Sequence, residues 1–229
     1  MELSALIEKY NRCEITRTEI QTMLGVSWKK LNKMMKEQGL KTRQELWNEL
    51  NFDGNLRELL IWKYRSFVRR CKGKGSSSKK YIGKEYMSIE EWVAFCNSQQ
   101  KRISKLWEQY KQSGKQLKYA ISIDRLDNNK GYISSNLQFV THGFNSWKDT
   151  IRPISVKHEE QTDYFLSCEE ASRFYGIRSQ AIGEVLRGKR YAIKGYVVKL
   201  VTKEEVLKNK PANTLVEYYE RYIAQQRRW

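Results

Sequence analysis

Cysteine is scarce and scattered. Cys13, Cys71, Cys96 and Cys168 are the 4 in a chain of 229 residues, and no two form a C-x-x-C pair. That spacing argues against a zinc knuckle or ribbon. The scatter, beside an amphipathic rather than signal-like stretch over residues 1–10, points to reduced thiols in a cytosolic compartment. No apolar run reaches the ~18 residues needed to span a bilayer, so no membrane segment is expected. Acidic residues are also in deficit: 26 Asp and Glu face 43 Lys and Arg, a net charge of +17.

An excess of that size must meet a polyanion or be tolerated as self-repulsion. Nucleic acid is the common polyanion, because each Lys or Arg set on a phosphate releases counterions. Charge alone leaves RNA, a ribosome or a membrane surface as alternatives. With 40% hydrophobic and 12% aromatic residues, the chain can build cores, and several small ones suit it better than one large one.

Three segments are legible. Residues 1–50 read as helical. Thr16 precedes a short helix with Ile20, Met23 and Leu24 at helical spacing; Gly25 breaks it, Ser27 caps a second helix, and Gly39 stops that one. Lys29, Lys30 and Lys33 fall on its polar side, the outline of a helix-turn-helix. Residues 55–150 start with a helix over 56–71, then a Gly/Ser/Lys-rich loop. Ser88 and Glu91 form a capping box ahead of Trp92, Phe95 and Cys96. From about residue 119 the pattern changes to alternation and turn clusters, which predicts a hairpin followed by a helix. Residues 150–165, with Pro153, read as a linker. Residues 163–200 repeat the theme of residues 1–50: Ser167 and Glu170 as a cap, Gly176 as a break, then a helix with Ile182 and Leu186. Residues 201–229 read as a helical tail. No tandem repeat is visible, although the first and third segments read alike.

The chemistry sits in residues 121–149. Asp124 ends the first strand, Asn136-Leu137-Gln138 opens the second, and Asn145 and Lys148 fall in the helix. His142 precedes Asn145 by one helical turn. This order resembles the HNH, or ββα-metal, endonucleases, and "SIDRLDNNKGYISSN" from Ser122 to Asn136 resembles a phage branch of them, with Trp62, Arg70-Cys71 and Trp92 also in place. The resemblance implies Asp124 and Asn145 as ligands of Mg²⁺ (or Mn²⁺), and Asn136 as the brace of the loop. A hard cation prefers such oxygen donors and retains water.

One position departs from that family. Arg125 stands where the general-base His is usual, and arginine does not deprotonate. Arg125 is then a candidate clamp for the scissile phosphate. His142 is left as base, metal ligand or plain surface residue. Asp127 reads first as a turn residue and second as a further carboxylate near the metal. Lys130 in the loop and Lys148 in the helix are candidate DNA contacts.

The third segment, "SCEEASRFYGIRSQAIGEVLRGKRYAIKGYVV", resembles the modular DNA-binding repeats that accompany homing endonucleases. There Arg178 and Gln180 would meet bases or phosphate, while Arg187, Lys189, Arg190 and Lys194 would meet phosphate. The expected fold is α+β: a mostly helical chain with a central ββα nuclease core and a helix-turn-helix module at each end. The expected activity is cleavage of double-stranded DNA at a long site, in the cytoplasm of a phage-infected bacterium, with no membrane and no obligate protein partner. A degenerate core that binds DNA without cutting, and an RNA-binding protein, are the competing readings.

Overall fold

The computed structural model describes residues 2–74, 79–191, 193, 195–209 and 214–226, for 222–226 the backbone alone. It mixes helices with two small antiparallel sheets, an α+β chain. It divides into two compact units, residues 1–142 and 143–229. Part of the Gly/Ser/Lys-rich loop (75–78), Lys194 and the end of the tail lie outside the described residues. Among the described residues no helix is long and apolar enough to cross a membrane.

The first unit begins with α1 (Leu3–Asn11), α2 (Arg17–Leu24), α3 (Trp28–Glu37) and α4 (Arg43–Asn48). Thr16 caps α2 by a full capping box with Glu19, and Gly25 ends it in the left-handed conformation at φ 61°. That conformation costs a residue with a Cβ but not glycine. Ser27 caps α3 by accepting from Lys30 N–H. Leu3, Leu6, Ile7, Tyr10, Ile20, Leu31 and Met35 form the core of this module.

A second core of the same unit is built by α5 (Gly54–Cys71), α6 (Ile89–Ser98) and α7 (Gln100–Gln112). Its aromatic centre is Tyr64, Phe67 and Trp92, with Phe67 5.0 Å from Tyr64 and 5.4 Å from Trp92 between ring centroids. On this platform rest β1 (Ile121–Arg125) and β2 (Leu137–Thr141), antiparallel, with Asp124 opposite Gln138 and Arg125 opposite Leu137. Phe67 stacks on Tyr132 of the hairpin loop at 4.7 Å and 7°. Phe139 of β2 packs on Phe95 and Trp92 of α6. Aromatic contacts therefore fix the loop and the middle of β2 to the helices.

The second unit carries β3 (Ile154–His158), β4 (Gln161–Phe165), α9 (Cys168–Tyr175), α10 (Ser179–Leu186), β5 (Val197–Leu200), α11 (Lys203–Lys208) and α12 (Leu215–Gln226). Its sheet has the order β4-β3-β5. The linker expected over 150–165 is therefore corrected: residues 154–165 form a β-hairpin. Ile154 and Val156 face inward at the strand period, and they are buried with Phe165 under α9 and α10. His158 ends β3 and packs on Tyr196 at 4.4 Å between rings.

The two helix pairs, α2 with α3 and α9 with α10, share one spacing. The left-handed glycine follows the N-cap by nine positions in both, Thr16 to Gly25 and Ser167 to Gly176, and the next N-cap comes two later, Ser27 and Arg178. Equivalent positions are buried: Ile20 with Ala171, and Leu31 with Ile182. The supports differ. The first pair packs on α1, the second on the sheet.

Candidate nuclease hairpin

The site is built on the loop joining β1 to β2. Asn136 is buried, 3% exposed. Its Oδ1 accepts from Asp127 N–H at 2.8 Å, and its Nδ2 donates to the carbonyls of Asp127 and Gly131, each at 3.0 Å. One side chain thus ties the loop across its width. Asp127 Oδ1 accepts from Asn129 N–H at 2.8 Å, the local turn bond that explains Asp at this place.

Gly131 is required by close approach. A Cβ there would lie 2.1 Å from the carbonyl oxygen of Glu85. That carbonyl accepts from Tyr132 N–H at 2.8 Å, and Tyr132 O accepts from Met87 N–H at 3.0 Å. The loop is so docked on the 85–87 segment, backbone on backbone.

Asp124 is the fourth residue of β1, and the strand runs one residue further than the sequence pattern indicated. The residue is 3% exposed, and its carboxylate accepts from Gln138 Nε2 at 2.9 Å. Gln138 is its direct cross-strand partner. This orienting role was missed from the sequence; the signal available was the antiparallel pairing of two polar side chains directly across the hairpin.

Arg125 points the other way, as alternation along a strand requires. It is 6% exposed. Its guanidinium donates to the carbonyls of Asn128 and Lys130 at 2.9 and 2.8 Å, and to Asn128 Oδ1 at 3.3 Å. It lies 4.8 Å from the Tyr81 ring and 5.3 Å from the Tyr132 ring. Lys84, also unforeseen, donates to the carbonyls of Asn128 and Asn129 at 3.0 and 2.6 Å. Two cations thereby gather three consecutive loop carbonyls. This gives Arg125 a structural occupation independent of any substrate.

The helix of the motif is α8 (His142–Trp147). His142 is exposed, and its N–H donates to Ala120 O at 2.7 Å. Asn145 and Lys148 are half-buried. The division between the two units falls at the first residue of this helix.

Among the described residues no group of three or more His, Cys, Asp and Glu side chains could hold a metal. The donor pair implied by the resemblance to HNH endonucleases, Asp124 and Asn145, is one carboxylate and one amide oxygen. Such a donor set fits a hard ion that keeps most of its water.

Of the other expected contacts, Lys29, Lys30 and Lys33 are exposed on α3, with Lys33 3.8 Å from Glu37. Lys130 is exposed at the loop tip. Arg178, Gln180, Arg187, Lys189 and Arg190 are exposed along and after α10. Glu184 engages two of them, pairing with Arg190 at 3.1 Å and accepting from Gln180 at 3.4 Å.

No protein-family model matches the chain, and no curated protein matches it. Among solved structures the chain is similar to one described as "DNA binding and cleavage by the HNH homing endonuclease I-HmuI", at 22% identity and a TM-score of 0.23. The similarity covers 37% of this chain and 60% of that one, so the chain spans less than two thirds of that protein's length.

Proposed function

We propose that the chain is an HNH-type endonuclease that hydrolyses phosphodiester bonds in double-stranded DNA, a homing-type phage enzyme working at a long recognition site in the host cytoplasm. One observation carries the reading. A two-stranded hairpin holds a buried, amide-oriented carboxylate, Asp124, beside a loop closed by Asn136, in the order Asp124, Asn136-Leu137-Gln138, Asn145, Lys148.

In this reading Asp124 and Asn145 would hold Mg²⁺ (or Mn²⁺), which would supply charge neutralisation at the scissile phosphate. Gln138 fixes the rotamer of Asp124. Asn136, Arg125 and Lys84 keep the loop in one conformation. His142, exposed at the head of α8, is the candidate base or a further ligand. Lys130 and Lys148 would meet phosphate near the cut. The paired helix modules would supply the remaining contacts, through Lys29, Lys30 and Lys33 on one and Arg178, Gln180, Arg187, Lys189 and Arg190 on the other. Linking several weak readers on one chain raises affinity through effective concentration.

The test is cleavage of phage or intron-insertion DNA in a plasmid, with Mg²⁺ and with EDTA. Nicks or breaks that need the metal and vanish in Asp124→Ala are expected; full activity in that variant would sink the proposal. A second reading, a DNA-binding protein without chemistry, is favoured by the commitment of Arg125 to loop carbonyls in place of a base. It requires salt-sensitive DNA binding indifferent to EDTA, and no cleavage.

A further inference from the structure

One surface of the first unit has no part in the reading above. Between α5, α7 and the residues leading into β1 lies an open groove of about 520 Å³, within the roughly 300–1,000 Å³ typical of ligand sites. Trp62 of α5 stands 58% exposed on it. Trp107 and Tyr110 of α7 also line it, their rings 5.5 Å apart. An exposed indole sharing a groove with two further rings is an unusual surface for a chain so rich in charge.

The rim is charged. Lys63 and Arg65 line the groove with Glu58, two cations to one anion. Lys63 Nζ lies 5.3 Å from the Trp62 ring. Burial, and then the neighbouring Arg70, lower its ammonium pKa to about 8. A charged lysine in that condition gains from any anion brought beside it.

The floor ties the groove to the hairpin. It includes Ala120, whose carbonyl accepts from His142 N–H at 2.7 Å, and Ile121, the first residue of β1. Asp124 is three residues along that strand, about 10 Å away at ~3.3 Å per residue.

We infer that this groove takes an unstacked nucleobase from a single-stranded or opened segment of DNA, its ring against Trp62 and Trp107 and its phosphate against Lys63 and Arg65. Aromatic faces interleaved with cations are the arrangement that holds single strands without sequence preference, because every base has a π-face. An apolar protein segment would meet charged side chains at the rim of the groove, whereas a nucleotide matches rings and rim together. The net charge of +17 favours the same occupant. The inference rests on the chain's binding DNA but not on its cutting it.

The experiment uses the full chain in EDTA, with fluorescein-labelled oligothymidylate and a mixed-sequence duplex. Both are about 12 nucleotides long, inside the roughly 4–16 of a single-strand site. Binding is read by anisotropy. Trp62→Ala is expected to weaken oligothymidylate binding about 5- to 150-fold, the loss of one base–aromatic stack, and duplex binding by no more than about twofold. Trp62→Phe is expected to recover most of the loss. Lys63→Gln gives an independent arm, with weaker single-strand binding and a shallower salt dependence. Unchanged oligothymidylate affinity in Trp62→Ala, or equal loss on both DNAs, overturns the inference. So does loss of self-association in sedimentation velocity with DNA binding intact, which would make the groove a protein interface. Plasmid cleavage is scored separately. No cleavage with the Trp62 effect present rejects the nuclease alone; cleavage with no Trp62 effect rejects the groove alone.

Discussion

Replacing Asn136 by alanine removes one buried amide and leaves three backbone groups without it: the N–H and C=O of Asp127 and the C=O of Gly131. Each neutral hydrogen bond contributes roughly 0.5–1.5 kcal/mol net, and a buried group left unpaired costs about 1–3 kcal/mol. The Gly131 carbonyl is the most enclosed of the three, while water reaches Asp127 more easily. The expected loss is about 2–4 kcal/mol, concentrated in the loop. Asn136→Asp sharpens the test. It keeps an acceptor for Asp127 N–H but turns the donor into a second oxygen facing two carbonyls. At pH 7 it should destabilise more than the alanine variant. The introduced carboxyl has a raised folded-state pKa, so the folded state binds more protons and the variant recovers as pH falls through that raised value, fully below the unfolded value of about 3.9. Urea unfolding followed by circular dichroism gives the magnitude. Hydrogen exchange of peptides covering 121–141 locates it. A loss below about 0.5 kcal/mol for alanine, the scale of an ordinary surface change, would refute the reasoning, as would equal stability of the two variants at pH 7.

Gly131→Ala sets a Cβ 2.1 Å from Glu85 O, a backbone atom that cannot swing aside. The bridge between Tyr86 and Tyr132 must open, with an expected loss of about 3 kcal/mol or more; an unchanged melting temperature in scanning calorimetry would contradict the close approach. Lys63→Met removes an ammonium whose folded-state pKa is lowered to about 8 by burial. The charged form is disfavoured on folding, so wild type bears that cost fully below pH 8 and loses it as pH rises toward the unfolded value of about 10.4. The variant should be more stable by about 1–3 kcal/mol at pH 7, and its advantage should fade near pH 10; a constant difference across melts at both pH values would remove the burial argument.

Whatever is held by bonds spanning a few residues was legible from the chain alone. The caps at Thr16, Ser27, Ser88 and Ser167 are of this kind, as are the left-handed glycines at Gly25 and Gly176. Ser167 shows where that legibility ends. It caps α9 as its sequence suggests, but Glu170 bonds Leu166 N–H instead of closing the box on Ser167. The hairpin and its helix were also readable, because alternation, turn residues and the motif order fall within one short stretch.

The sequence by itself determined the charge, the caps of α2, α3, α6 and α9, and the order of the candidate site residues. Tertiary structure decided the rest. Residues 154–165 look like a linker because their third strand, β5, arrives only after two intervening helices. Asp124 needed its register partner Gln138 before its orientation could be known. Arg125, read as a phosphate clamp, was found gathering loop carbonyls between two tyrosines, and Gly131 acquired its reason only when Glu85 was brought against it. The physical division is one of range: short hydrogen-bonded rings are written in neighbouring residues, whereas close approaches, cross-strand partners and the aromatic groove beside β1 exist only after distant segments have packed.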